Sequence, residues 1–124
     1  MTVRFYSAYY KTSASNTTKN STFADIQNTY WAVTDICTAV SNGWVIGYPD
    51  STFKGDSNIS RAEVVTIVNR VLERNADSTY IDKNVSSLVR FNDLADKKHW
   101  AYYDISEAAN DHTTVQNSET ETWI

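Results

Sequence analysis

The chain has 124 residues, of which 41% are hydrophobic and 21% charged, with a formal charge of −4 and an isoelectric point near 5.0. Length and balance fit one ordinary folded domain and exclude a disordered segment. The acidic balance also excludes a general nucleic-acid binder, because neutralising phosphates takes clustered Lys and Arg. No stretch of about eighteen apolar residues is present to span a bilayer, so a membrane is not an expected partner. The opening MTVRFYSAYYKT lacks the apolar core of a signal peptide. Cys37 is the single cysteine, which rules out an internal disulfide and leaves cytosolic and exported settings open.

Along the chain, Val3, Phe5, Tyr6, Tyr9 and Tyr10 have near-helical spacing, and the Ser/Thr/Asn-rich residues 12–22 read as a linker. Residues 23–39, FADIQNTYWAVTDICTA, are echoed by residues 91–108, FNDLADKKHWAYYDISEA. Both run Phe, any residue, Asp, aliphatic, a polar loop, Trp-Ala, two residues, Asp-Ile, two residues, Ala. Such self-similarity points to stacked supersecondary units. Ala32, Ile36, Ala39 and Val40 lie on one helical stripe, which predicts a helix over residues 30–42 closed by Gly43 in a left-handed cap, and its echo over residues 100–110. Asp25 and Asp93 precede these helices, where backbone hydrogen bonding is the expected role.

The stretch GWVIGYPDSTF then reads as extended chain followed by a turn at Pro49-Asp50. Ser60 and Glu63 form a capping box, Ile59 and Val64 a hydrophobic staple, and Val64, Val68, Val71 and Leu72 an apolar face reaching about Arg74. Residues 76–90 form a polar connector with room for one short helix over residues 85–89. The tail after His112 is polar and ends in Trp123 and Ile124. The class is mainly α, in tandem helix-loop-helix repeats with little strand.

Arg61 does not fit its local setting. It opens a helix whose amino end is already partly positive, so a cation there works mildly against the dipole. One explanation is a pair with Asp50, Asp56 or Glu63 that pins the turn; the other is an anion held between the helix end and the guanidinium.

FADI, YWA, Gly43-Trp-Val-Ile-Gly-Tyr-Pro-Asp50, Thr52-Phe-Lys54 and Ile59-Ser-Arg-Ala-Glu63, in that order, resemble an S-layer homology repeat. Where the family has glycine after GYPD, proline after FK and threonine in TRAE, this chain has Ser51, Gly55 and Ser60. The resemblance implies four segments. Residues 1–22 are the trailing helix of a preceding repeat plus linker, 23–75 one complete repeat, 76–90 a connector, and 91–124 a partial closing repeat. It further implies a pseudo-threefold helical prism, in which the chain stacks on neighbouring repeats or self-associates.

The implied function is non-catalytic anchoring of an exported protein at the surface of a Gram-positive-type cell, by binding secondary cell-wall polysaccharide with pyruvylated sugar. The pyruvyl carboxylate is the anion for which Arg61 is the first candidate, with Ser60 and Glu63 beside it. Trp31, Trp44 and Trp100 are candidate platforms for a sugar ring. Asp50 and Lys54 flank the turn, and Gly47 permits close approach.

Two other readings stand beside this one. Asp56, Asn58 and Glu63 faintly echo a calcium loop, but Arg61 and Ile67 fall where an EF-hand needs Gly and a bidentate Glu. An apolar face left by an incomplete repeat would suit a protein–protein module. Catalysis has no support: His99, His112 and Cys37 lack the context of a nucleophile motif, and no cofactor or metal is expected.

Overall fold

The computed structural model describes residues 21–117 and 120–124. The predicted helix over residues 1–12 and most of the linker lie outside the described residues. The chain is mainly helical, as expected, and divides into two compact units, Met1–Asn58 and Ile59–Ile124. Among the described residues no helix is long and apolar enough to cross a membrane.

The first unit contains helix α1, Val33–Ser41. Val33, Ile36 and Cys37 sit one helical turn apart and are buried with Phe23 and Ile26, while Tyr30 and Phe53 close the edge. The predicted cap at Gly43 is present. At φ +72° its N–H bonds Val40 O (2.9 Å) and the Trp44 N–H bonds Ala39 O (2.9 Å), a Schellman pair that satisfies the last carbonyls. Gly47, at φ +86°, passes so close to the Phe23 ring that a Cβ would run into it. Two hydrogen bonds, Tyr48 N to Thr52 O (2.9 Å) and Ser51 N to Tyr48 O (3.0 Å), close the turn. Ser51 takes φ +60° there, which accounts for the glycine the family places at that position.

Asp25 bonds backbone, but far along the chain. Its carboxylate accepts the N–H groups of Phe53 (2.8 Å) and Lys54 (2.7 Å), stapling the front loop to the far side of the turn.

The second unit contains α2 (Arg61–Val71), α3 (Ser78–Lys83), a 3-10 turn (Asn92–Leu94), α4 (Tyr102–Ala109) and a hairpin of β1 (Thr114–Asn117) with β2 (Thr120–Trp123). Its core is Ile81, Leu94, Ala101, Tyr102, Ile105 and Trp123, with Ala62, Val65 and Phe91 packed against it.

Three sequence expectations are corrected in this unit. The face of α2 predicted to be buried is largely exposed at Val64, Val68 and Leu72, and the staple residue Ile59 is exposed too. Of the predicted face Val71 is buried, and beside it the helix turns Thr66 and Asn69 inward, because α4 offers Asp104: Asn69 Nδ2 donates to Asp104 O (3.0 Å) and Oδ1 (3.2 Å).

The short connector helix forms at Ser78–Lys83 rather than 85–89. Asp77 caps it by accepting the Tyr80 N–H (2.9 Å), and the single buried Ile81 anchors it without any periodic stripe to announce it. The polar tail is a hairpin, antiparallel with Gln116 opposite Glu121 and Thr114 opposite Trp123. One buried member of its inward face is the carboxylate of Glu121, so hydrophobic alternation does not mark it.

Hydrogen bonding, led by Phe53 and assisted by Lys54, lowers the Asp25 carboxyl below its ordinary value of 3.8 against a smaller opposing effect of desolvation. A depressed folded value gives stability that is complete above the ordinary value and lost as pH falls through the folded one. Urea midpoints should therefore show Asp25→Asn less stable than wild type at neutral pH, with the gap closing as pH falls below the ordinary carboxylate value. A gap that persists unchanged into acid would contradict the ionic role.

Candidate functional site

The capping box at α2 is complete. Glu63 N–H donates to Ser60 Oγ (3.3 Å), while Glu63 Oε2 accepts from Ser60 N (2.7 Å) and Ser60 Oγ (2.7 Å). These bonds fix the direction in which the helix starts, and with it Arg61, the first helical residue.

Arg61 borders a cavity of about 350 Å³, lined also by Ala62, Asp93, Leu94, His99 and Ile105. Its side chain is 52% exposed and its Nη2 donates to Asp93 Oδ2 at 2.9 Å. The guanidinium lies 4.9 Å from the centre of the Phe91 ring, within cation–π range. Asp93 is therefore the partner of Arg61, in place of Asp50, Asp56 or Glu63.

Aligned repeat positions now diverge. Asp25 staples a turn, whereas Asp93, with no Phe-Lys turn following its helix, is available to Arg61. Phe91, the echo of Phe23, supplies the ring beneath the cation. His99, the echo of Tyr30, lines the cavity. The alignment of the two repeats singles out all three, but not their convergence on Arg61.

Trp31 and Trp100, one residue before the alanine that starts each helix, are 78% and 62% exposed. Each lies beside the ring before it, Tyr30 with Trp31 at 5.8 Å and His99 with Trp100 at 5.8 Å. Trp100 thus stands next to a residue of the Arg61 cavity. Trp44 is buried, so its indole offers no open face.

Trp31, Gly47, Asp50 and Lys54 belong to the first unit. Asp50 accepts the hydroxyl (2.5 Å) and N–H (3.1 Å) of Thr52, and the hydroxyl bond is the main reason its carboxyl is lowered from the ordinary value. Lys54 Nζ stands 4.3 Å over the Tyr48 ring and 3.7 Å from Asp50, a solvated turn pair.

Residues 22–65 match the S-layer homology domain. The chain carries an S-layer homology domain. The matched stretch contains the Asp25 staple, α1, the GYPD turn and the capping box with Arg61.

Relatives of this S-layer homology chain are surface proteins by name. The cellulosome-anchoring protein of Acetivibrio thermocellus is 37% identical over 84 residues, covering 68% of this chain and 17% of that protein. Cell surface glycoprotein 1 of the same organism is 34% identical over 99 residues, 77% of this chain and 4% of the relative. The outer membrane protein SlpA of Deinococcus radiodurans is 40% identical over 53 residues, 43% and 4% of the two chains. The chain thus spans less than a fifth of the relatives named here. No solved structure matches it.

Ser60→Ala removes the reciprocal cap and should lower stability by about 1 kcal/mol, read as a urea midpoint shift with unchanged slope.

Proposed function

We propose that the chain is a non-catalytic anchoring module that holds its parent protein at the cell surface by binding an acidic cell-wall saccharide, of the pyruvylated kind, at Arg61. The observation that carries this reading is the cavity beside a half-exposed guanidinium at the amino end of a well-capped helix.

A pyruvyl ketal presents a carboxylate on a sugar. The helix end contributes N–H groups and partial positive charge, and the guanidinium contributes directional, charge-assisted bonds. Asp93 keeps Nη2 oriented while the site is free of ligand. Because the pair is exposed, it is worth about 0–1 kcal/mol, less than the roughly 1.5–3 kcal/mol of a charge-assisted bond to the ligand. A bound carboxylate either shares the five-donor fork with Asp93 or displaces it. Trp100, next to His99, supplies a ring face to the sugar, and Ser60 and Glu63 act by setting the helix start.

A protein-docking role has its own support in the exposed Val64, Val68 and Leu72, one turn apart on α2, which suit a neighbouring repeat. The calcium reading is weakened because Glu63 Oε2 is engaged by both Ser60 donors.

Binding to purified wall polymer, native and stripped of pyruvate, tests the proposal. Arg61→Ala should lose at least about tenfold in affinity for native polymer, equivalent to ~1.4 kcal/mol, with little change in melting temperature. Arg61→Lys should also bind more weakly, since an ammonium lacks the planar fork. If Arg61→Ala and Asp93→Ala lower the melting temperature equally and leave polymer binding intact, the ion pair is only a structural clasp.

A further inference from the structure

At the other end of α2 lies a second cluster, unrelated to the cavity. The helix ends in another Schellman pair, Glu73 N to Arg70 O (3.1 Å) and Arg74 N to Asn69 O (2.8 Å), with Glu73 at φ +56°. This turn carries Arg74 over Glu107 of α4, His112 before β1 and Glu121 of β2. Glu107 and Glu121 are 1% and 7% exposed.

Each ligating group is held from behind. Trp123 Nε1–H donates to Glu107 Oε2 (2.8 Å), and Asn75 N–H donates to Glu121 Oε2 (2.8 Å), which leaves Oε1 of both carboxylates facing His112. His112 Nδ1 lies 2.7 Å from Asn110 O and donates to it, which leaves Nε2 facing inward. The Trp123 indole stacks on the imidazole at 3.7 Å and 14° and fixes its plane. A carbonyl behind the imidazole and donors behind the carboxylates are the arrangement that orients metal ligands.

The inward atoms sit close together. His112 Nε2 is 2.9 Å from Glu107 Oε1 and 3.9 Å from Glu121 Oε1, and all three atoms lie within 4.8 Å of each other. Arg74 Nη2 reaches between them, 2.7 Å from Glu107 Oε1 and 2.8 Å from His112 Nε2. Even so, Glu107 Oε1 is a buried atom with no hydrogen bond of acceptable geometry.

We propose that Glu107, His112 and Glu121 form a binding site for a divalent transition cation of the zinc class, with Arg74 swinging outward as the ion enters. Zinc bonds of about 2.0–2.2 Å in tetrahedral geometry place ligand atoms about 3.3 Å apart, and the 2.9 and 3.9 Å separations straddle that value. The ion neutralises both carboxylates, engages the Oε1 that lacks a hydrogen bond, and leaves a fourth position for water. One imidazole with two carboxylates suits zinc better than calcium, which takes six to eight oxygens. The Arg74 side chain, 36% exposed, has a route to solvent. The bound ion ties α4 to the hairpin.

The test is zinc titration of the full chain in metal-free buffer, by calorimetry and thermal melting. The expected result is one ion per chain and a raised melting temperature that a chelator reverses. Arg74→Gln removes the competing cation and should bind more tightly. Glu121→Gln keeps an acceptor for Asn75 and should bind at least about tenfold more weakly. Absence of heat and of thermal stabilisation in both wild type and Arg74→Gln overturns the proposal, as does equal affinity in wild type and Glu121→Gln.

Discussion

The second unit is organised by the contact of Asn69 with Asp104. A 3%-exposed amide on α2 bonds both the backbone and the side chain of α4, and Thr66 reaches the same carboxylate at 3.4 Å. Each such bond contributes about 1 kcal/mol net, but leaving the buried amide unpaired would cost more, so the crossing of α2 over α4 has one satisfied register. Both candidate sites depend on that register. Arg61 begins α2 and Arg74 follows its end, so a helix of eleven residues, about 16 Å long, lies between them. Fixing the rod fixes what each guanidinium reaches.

The two related segments show how one sequence pattern serves two purposes. Where a GYPD turn follows, Asp25 is consumed in stapling Phe53 and Lys54. Where a hairpin follows, Asp93 is left to an arginine from the preceding segment. The exposed tryptophans are conserved between the halves in position and in setting, each flanked by a ring and followed by a buried helix. The boundary between compact units falls at residue 58, inside the matched domain, so α2 shares its unit with α4 and not with α1.

This offset suits a surface-anchoring domain. Helix α2 begins at a cavity and exposes Val64, Val68 and Leu72 along its length. The relatives include both a cellulosome-anchoring protein and an outer membrane protein.

By itself the sequence determined the local structure: the Ser60–Glu63 box, the Gly43 cap, the Pro49-Asp50 turn and the two amphipathic helices. Each rests on contacts within a few residues, where side-chain type and backbone preference suffice. It also carried the family, because five short motifs in order are hard to meet by chance. Only the tertiary structure decided which face of α2 is buried, since Thr66 and Asn69 enter the interior through hydrogen bonds to Asp104 and hydrophobic spacing is blind to that. The same holds for Asp93 beneath Arg61 and for Glu107, His112 and Glu121 around Arg74. These are charges brought together from distant segments, and their meeting depends on helix crossing and strand register rather than on any spacing along the chain.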